Sequence, residues 1–361
     1  MKAFDIQEYI TAGAEKIVAD AVRATLRSPK EAAFMASFAA SSAAAARTRR
    51  RRETEGMHVP TFLIASITSA CNLHCEGCYS RSNHATEDTA PVRQLTAADW
   101  GRIFDEAHDL GISFILLAGG EPLLRRSVIE AAGERRGILF PIFTNGTYLD
   151  EKYFDLFEKC RNLVPVISLE GGEEETDRRR GAGVYDRIDA AMDEFRRRNL
   201  LFGASVTVTT ENLAAVTDPA FIARLTERGC RAVFFVEYVP VTDETLALAP
   251  GDEEREMLTR AVEALRAQFD EAIFLQFPGD EKALDGCLAA GRGFFHINSH
   301  GGAEPCPFSP YSDVSVKDRP LADALSSPLF TKLRDGGLLE GEHEGGCTLF
   351  ARRADVAAIL Q

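Results

Sequence analysis

Short, almost uninterrupted hydrophobic runs alternate with amphipathic segments through the middle of the chain. Six such runs lie between residues 61 and 239. Segments with apolar residues at every third or fourth position separate them, as in 96–111 and 184–199. Strands that are hydrophobic on both faces and alternate with helices are typical of a parallel sheet covered by helices. The pattern therefore predicts buried strands at 61–68, 113–119, 138–144, 163–169, 202–209 and 232–239.

The same alternation predicts how these strands are arranged. Two more amphipathic segments, 218–229 and 252–269, complete a series of strand–helix units from residue 61 to about 277. Six successive units of this kind favour an α/β fold, a partial (β/α)6 barrel of the TIM-like type. A doubly wound open sheet is the competing interpretation.

Both ends of the chain depart from this rhythm. Residues 1–56 predict a helical N-terminal extension, in which Ser28 caps an alanine-rich helix that has Pro29 at its first position. Residues 278–361 predict a small α+β subdomain with a hairpin at 294–308, turning at 299–302, and a helix at about 320–335. Three domains follow: 1–56, 57–277 and 278–361.

The alanine-rich helix ends in a basic run, Arg47 to Arg52. Its apolar stretch is too short and too weakly apolar to span a bilayer. One interpretation is a lid or extension whose charges are solvated. The other is a basic amphipathic helix that contacts anionic lipid or a charged substrate.

Composition narrows the class of protein. The chain has 361 residues, 45% hydrophobic and 27% charged, which is ordinary for a globular enzyme. A net charge of −14 disfavours nucleic acid as a partner. The N-terminus shows no secretory signal, so we expect a cytoplasmic protein. In a reducing compartment, clustered cysteines bind metal more often than they form disulfides.

Three of the eight cysteines, Cys71, Cys75 and Cys78, lie within eight residues, directly after the first predicted strand. Zinc sites usually combine two separated pairs of ligands, and no second pair is close in sequence. Three thiolates on one loop instead suit three corners of a cubane iron–sulfur cluster, with one iron left open. A zinc knuckle with a distant fourth ligand is the alternative.

The motif Cys71-x3-Cys75-x2-Cys78-Tyr79 resembles the signature of the radical S-adenosylmethionine (SAM) superfamily. Further motifs follow in that family's order, each at the carboxyl end of a predicted strand, where β/α barrels place their active sites. Many members have an aromatic residue just before the third cysteine, whereas this chain has Gly77 there and Tyr79 after it. The resemblance covers about residues 60–240. Besides Tyr79, it implies SAM-binding residues at Gly119, Gly120, Glu121, Pro122, Asn145, Ser168, Glu170, Thr209, Asn212 and Glu237.

The other cysteines fall into two groups. Cys160 and Cys230 each precede a strand, at the end of the barrel away from the predicted site, and we expect both to be small buried hydrophobes. Cys287, Cys306 and Cys347 lie in the C-terminal region, which resembles the SPASM/Twitch extension of radical SAM enzymes. That resemblance implies one auxiliary [4Fe-4S] cluster held by these three cysteines. His343 is a candidate fourth ligand, although an exposed loop histidine is its simpler interpretation.

The resemblance also implies a mechanism. SAM chelates the open iron of a [4Fe-4S] cluster, and one-electron reduction yields a 5′-deoxyadenosyl radical that abstracts hydrogen from the substrate. A flavodoxin- or ferredoxin-type reductant is implied as a partner. We expect net oxidation or crosslinking of a small metabolite or cofactor precursor, with modification of a ribosomally made peptide as the alternative. A non-catalytic iron–sulfur or zinc-binding protein would not need the motifs after Cys78.

Overall fold

A computed structural model describes residues 19, 29–89, 93–240, 243–277, 286–340 and 347–360. Residues 1–18 and 20–28 of the predicted N-terminal extension, which include Ser28, lie outside these residues, as does His343. None of the helices in the described ranges is long and apolar enough to cross a membrane.

The centre of the molecule is a parallel sheet whose strands follow one another in chain order. The parallel strands are β1 (Phe62–Ser66), β2 (Phe114–Ala118), β3 (Phe140–Thr144), β4 (Leu163–Ser168), β5 (Phe202–Val208), β6 (Cys230–Glu237) and β7 (Ile273–Phe277). A doubly wound sheet would reverse direction at a switch point. Because this order never reverses, the barrel-type prediction is confirmed for the six predicted strands, and β7 is a seventh that the sequence pattern missed.

Helices connect successive strands, as predicted. The longer ones are α3 (Ala97–Leu110), α4 (Arg126–Gly133), α5 (Glu151–Lys159), α6 (Glu173–Arg180), α7 (Val184–Arg197), α9 (Pro219–Glu227) and α10 (Asp252–Gln268). Short helices α2 (Tyr79–Ser82) and α8 (Leu213–Val216) follow β1 and β5. Thr96 caps α3: its hydroxyl accepts a hydrogen bond from the backbone N–H of Asp99, and its own backbone N–H donates to the Asp99 carboxylate. Cys160 and Cys230 are buried, as expected.

The C-terminal region extends this sheet from the other side of β1. Strand β8 (Phe294–Ile297) pairs parallel with β1 and antiparallel with β9 (Gly302–Glu304), which confirms the predicted hairpin. A short β10 (Val314–Ser315) forms the edge. In place of one helix, the segment after it forms α11 (Leu321–Leu325) and α12 (Pro328–Asp335), since Ser327 caps a new helix with Pro328 at its first position. Helices α13 (Thr348–Ala351) and α14 (Arg353–Ile359) follow.

The alanine-rich segment forms helix α1 (Pro29–Thr54) at the amino ends of the first strands. Phe38 packs edge-on against Phe114, with ring centroids 5.4 Å apart. At the other end of α1, buried Arg49 donates a hydrogen bond to the carbonyl of Gly111. The apolar face of α1 is thus packed against the barrel, and part of the basic run is structural, which weakens the interpretation of α1 as a lipid-binding helix.

Candidate functional site

The loop from β1 to α2 brings three thiols together at the carboxyl end of the barrel. Burial, together with the neighbouring Glu121, Cys75 and Cys78, raises the pKa of Cys71 to about 11, although a backbone hydrogen bond from Leu73 opposes the shift. The backbone N–H of Cys78 donates to the carbonyl of Cys75, while that of Cys71 donates to Glu87. All three cysteines stay partly exposed. The loop therefore presents converging sulfurs that a metal centre would have to deprotonate.

The number of thiols bears on the kind of centre. Within the residues that the structure describes, no three Cys, His, Asp or Glu side chains are already gathered around one point that could hold a metal ion. Three cysteines on one loop match three of the four corners of a cubane iron–sulfur cluster and leave one iron open for another ligand. The residues present therefore fit such a cluster.

Gly119 and Gly120 lie against the strand that leads into the cysteine loop. A Cβ on Gly119 would collide with the carbonyl of Thr68, and one on Gly120 with the carbonyl of Ala70. The backbone N–H groups of Gly120 and Glu121 donate to those same two carbonyls, each at 2.8 Å. Both glycines are thus required for this close backbone approach, which fixes the cysteine loop against the end of β2.

Glu121 connects three strand ends from a buried position, with 1% of its surface exposed. Its carboxylate accepts hydrogen bonds from the hydroxyl of Thr144 at 2.6 Å and from the backbone of Asn145 at 2.8 Å. It also accepts one from the N–H of Leu123, just after Pro122 at the start of a 3-10 turn. The Asn145 amide donates to Asn72 beside Cys71. Glu121 and Asn145 therefore support the loop through side chains as well as through the backbone.

We expect Glu121 to make the protein less stable as pH rises from about 4.5 to about 7. Burial raises the pKa of Glu121 to about 7 from an ordinary value of 4.5, although its hydrogen bonds oppose the shift. The folded state therefore binds more protons than the unfolded state in this window, so the free energy of unfolding falls with pH. Glu121→Gln cannot titrate and should remove a pH-dependent change of at most about 3 kcal/mol. Urea unfolding of both proteins between about pH 5 and about pH 8 measures the difference; parallel curves would contradict the expectation.

The ends of β4 and β5 form a second polar group. The Glu170 carboxylate accepts hydrogen bonds from the guanidinium groups of Arg179 and Arg180. The Asn212 amide donates to the carbonyl of Glu170 at 3.1 Å and accepts from the backbone of Thr209 at 2.8 Å. Ser168 ends β4 beside these residues. All four predicted residues here, namely Ser168, Glu170, Thr209 and Asn212, are therefore brought together.

Arg180 connects this group to the cysteine loop, and the sequence analysis did not single it out. The pKa of Arg180 is raised above its ordinary value. Burial opposes the charge of the guanidinium, but the nearby Glu170, followed by Cys75 and Cys78, favours that charge. The carbonyl of Arg179 also accepts a hydrogen bond from the N–H of Glu76, inside the loop. A cation next to the thiols favours any anionic group that binds there.

Strand β6 places adjacent residues in different surroundings. The Glu237 carboxylate accepts a hydrogen bond from the Arg255 guanidinium of α10 at 3.1 Å. This predicted site residue is therefore paired with the layer of helices. Tyr238 packs on Gly77 instead: a Cβ at Gly77 would lie 2.5 Å from the Tyr238 hydroxyl. That hydroxyl is buried and has no hydrogen-bond partner among the described residues. An unpaired buried hydroxyl beside the cysteine loop fits a bound group that completes the site.

The three C-terminal cysteines also come together. The pKa of Cys306 is raised well above its ordinary value. Burial is the largest cause, and the neighbouring Cys347 and Cys287 raise the pKa in the same direction. The hydrogen bond from Cys306 lowers the pKa of Cys347, whose sulfur also accepts from the backbone of α13. The backbone N–H of Phe308 donates to the Cys306 sulfur at 3.2 Å. Here too the residues present fit an iron–sulfur cluster.

A cleft of about 230 Å³ is lined by residues that adjoin both cysteine groups. Tyr79, directly after Cys78, lines it, and so does Pro307, directly after Cys306. The rings of Tyr79 and Phe308 are in contact, with centroids 4.5 Å apart. Burial, followed by Cys78 and then Cys306, raises the pKa of the Tyr79 hydroxyl above its ordinary value. The predicted Tyr79 therefore stands where the two groups meet.

Comparison with known proteins agrees with this geometry. The model of the radical SAM superfamily matches residues 65–218. The AdoMet-dependent heme synthase of Methanosarcina barkeri is 27% identical over 79% of this chain and 88% of its own length. The PqqA peptide cyclase of Granulibacter bethesdensis is 27% identical over 76% of each chain.

Solved structures show the same fold. SuiB of Streptococcus suis, bound to the precursor peptide SuiA, superposes with a TM-score of 0.66 at 20% identity, covering 84% of this chain and 75% of SuiB. The enzyme anSMEcpe with bound AdoMet gives a TM-score of 0.56 at 17% identity, covering 73% and 79%. The match to the radical SAM model includes the cysteine loop and the ends of β2 to β5. The chain is therefore a radical SAM enzyme that uses a [4Fe-4S] cluster and SAM.

Proposed function

We propose that this enzyme oxidises or crosslinks a small metabolite or cofactor precursor that binds in the cleft between its two cysteine groups. The observation that carries the proposal is the position of the cleft, since Tyr79 and Pro307 put its walls next to Cys78 and Cys306. Its volume of about 230 Å³ lies just below the usual range of about 300–1,000 Å³ for small-molecule sites, so the cleft suits a small ligand or one part of a larger one. A substrate held there would be within reach of both centres.

The proposed roles of the chain are binding, orientation and exclusion of water. Cys71, Cys75 and Cys78 would hold the SAM-binding cluster, which when bound supplies the 5′-deoxyadenosyl radical. The backbone at Gly119–Pro122, with Asn145 and the group around Glu170, would orient SAM. Arg180, beside the thiols, would stabilise negative charge there. A flavodoxin- or ferredoxin-type protein would supply the electron.

We further propose that Cys287, Cys306 and Cys347 hold an auxiliary [4Fe-4S] cluster. Their mutual effects on pKa support one shared site. Such a cluster can accept the electron that remains when a substrate has lost a hydrogen atom and a proton. This arrangement would favour net oxidation of the substrate over return of the hydrogen atom.

The charge of the cleft narrows the substrate class. In the described part of the chain, its lining includes Glu87 and Glu304 but neither lysine nor arginine. A substrate with several carboxylates would be repelled, whereas a neutral or positively charged one would not. This observation also favours the second candidate, a peptide that inserts one side chain into the cleft. The similarity to PqqA peptide cyclase supports that alternative.

The test is turnover by the anaerobically reconstituted enzyme, reduced with dithionite and supplied with SAM. Small molecules and short peptides encoded near the gene are offered separately, and 5′-deoxyadenosine and products are measured by mass spectrometry. We expect a small substrate to give a product lighter by two hydrogens, with deuterium at its reacting carbon transferred to 5′-deoxyadenosine. Transfer from a peptide alone would favour the maturase instead. Deuterium transfer from neither class would contradict both.

A further inference from the structure

A chain of hydrogen-bonded side chains on one wall of the cleft belongs to none of the groups described above. The ring of His296 lies between two partners, with its Nε2 2.7 Å from the Ser66 hydroxyl and its Nδ1 2.7 Å from the Glu304 carboxylate. Asn298 donates to the other oxygen of Glu304 at 2.6 Å. His296 and Glu304 are 5% and 6% exposed, whereas Ser66 is half-buried.

Sheet register produces this alignment. Strand β8 lies between β1 and β9, with His296 opposite Ile64 on one side and opposite Glu304 on the other. Ser66 is two residues after Ile64, so it lies on the same face of the sheet. The three side chains thus form a row across three neighbouring strands. Because each position is fixed by backbone pairing, the row is held rigidly.

The directions of the hydrogen bonds follow from chemistry. Carboxylate oxygens accept hydrogen bonds, so one oxygen of Glu304 accepts from the Nδ1–H of His296 and the other accepts from the amide of Asn298. The neutral imidazole then has its lone pair on Nε2, which faces the Ser66 hydroxyl. A hydroxyl, a base and a group that orients the base are the parts of a proton-accepting relay, and both distances lie in the required range.

Ser66, His296 and Glu304 all line the cleft, together with Tyr79 and Gly119. The other ionisable side chains on this lining are His84, His300 and Glu87. Ser66 ends β1, five residues before Cys71, so its hydroxyl lies on the side of the cleft near the cysteine loop. A substrate placed for hydrogen abstraction would therefore meet this hydroxyl.

We propose that Ser66, His296 and Glu304 form a proton relay that deprotonates the substrate bound in the cleft. The substrate class is a molecule with an N–H or O–H next to the carbon that loses hydrogen. The carbon gives a hydrogen atom to the 5′-deoxyadenosyl radical. The N–H or O–H gives its proton to Ser66, whose own proton passes to His296 Nε2, and the remaining electron passes to an iron–sulfur acceptor. Ser66 is the residue that contacts substrate, and Glu304 positions His296. The choice of substrate rests on the proposed function, whereas the basicity of the relay does not.

A fluorophosphonate probe tests the relay without SAM or substrate. When Ser66 Oγ attacks the probe, an O–P bond forms, the P–F bond breaks, fluoride leaves and the serine proton passes to His296. We expect the anaerobically reconstituted full chain to be labelled at Ser66, as located by peptide mass spectrometry. Ser66→Ala should lose that label. His296→Asn keeps a donor for Glu304 but removes Nε2, and should slow labelling by about 100-fold or more.

Glu304→Gln separates positioning from simple structural support. The glutamine is isosteric, but its amide can donate to Nδ1 and so favours the tautomer that has the proton on Nε2. We expect labelling at least about 10-fold slower, with unchanged iron and sulfide content. His58 is a matched control, because its ring also lies beside a glutamate, Glu53, but has a backbone carbonyl as its second partner. His58→Asn should label like the parent enzyme.

Two results would overturn the relay: no label on Ser66 in the parent enzyme, or equal labelling rates in the parent, His296→Asn and Glu304→Gln proteins. A failure of the proposed function would appear as absent substrate oxidation with Ser66 labelling intact. The two failures are therefore distinguishable.

Discussion

Alanine at Cys71, Cys75 and Cys78 together is expected to abolish formation of 5′-deoxyadenosine. These are the three thiols that we propose as ligands of the first cluster, whose remaining iron would bind SAM. Without the cluster, no electron reaches the sulfonium of SAM. The amount of 5′-deoxyadenosine, measured by chromatography after reduction with dithionite, should fall to that of a protein-free control.

Cys160→Ala and Cys230→Ala are the matched controls for this triple substitution. Both thiols are buried hydrophobic groups at the other end of the barrel. Each substitution removes a buried sulfur and should cost about 1 kcal/mol of stability while leaving SAM cleavage intact. Continued cleavage of SAM by the triple variant, at the rate of these controls, would refute the assigned mechanism.

The sequence was most informative where the information is local. Hydrophobic runs predicted β1 to β6, and the spacing of Cys71, Cys75 and Cys78 predicted the cysteine loop. Strand β7 was missed because Ile273–Phe277 is short, follows an acidic segment and contains Gln276. From its sequence pattern alone, a five-residue apolar run next to a long helix cannot be distinguished from the end of that helix.

Side-chain direction was the main limit on the candidate site. Glu237 stays a predicted SAM-binding residue; its carboxylate is paired with Arg255, while the neighbouring Tyr238 packs on the cysteine loop. Successive residues of a strand point to opposite faces, so the sequence alone does not show which of the two faces the site. The glycine at position 77 was a usable signal, because a missing side chain in the loop leaves room for another residue.

Non-local pairing accounts for the remaining omissions. Arg180 was not distinguished from its neighbours in the run Arg178–Arg180, and only the fold shows that it lies near Cys75 and Cys78. The row formed by Ser66, His296 and Glu304 requires the register of β1, β8 and β9, which joins segments more than 200 residues apart. No local pattern in the sequence specifies such a register.

Cys287→Ala is expected to stop product formation while SAM cleavage continues. The three C-terminal thiols act on one another across the hairpin, and loss of one should release the proposed auxiliary cluster but not the first cluster. Iron in the reconstituted protein should fall from about eight to about four atoms per chain. With no acceptor for the remaining electron, the ratio of 5′-deoxyadenosine to product should rise at least about 10-fold, since dithionite and a proton from water return the substrate radical to substrate after 5′-deoxyadenosine has formed.

The control for this variant is Cys230→Ala, which should keep both the iron content and the product ratio of the parent enzyme. An iron content near four in the parent enzyme itself would eliminate the auxiliary site. Full product formation by Cys287→Ala at reduced iron content would instead retain the site but exclude electron transfer as its role. The two measurements together separate the presence of the second cluster from its function, because iron content depends on the ligands alone, whereas the product ratio depends on where the electron goes.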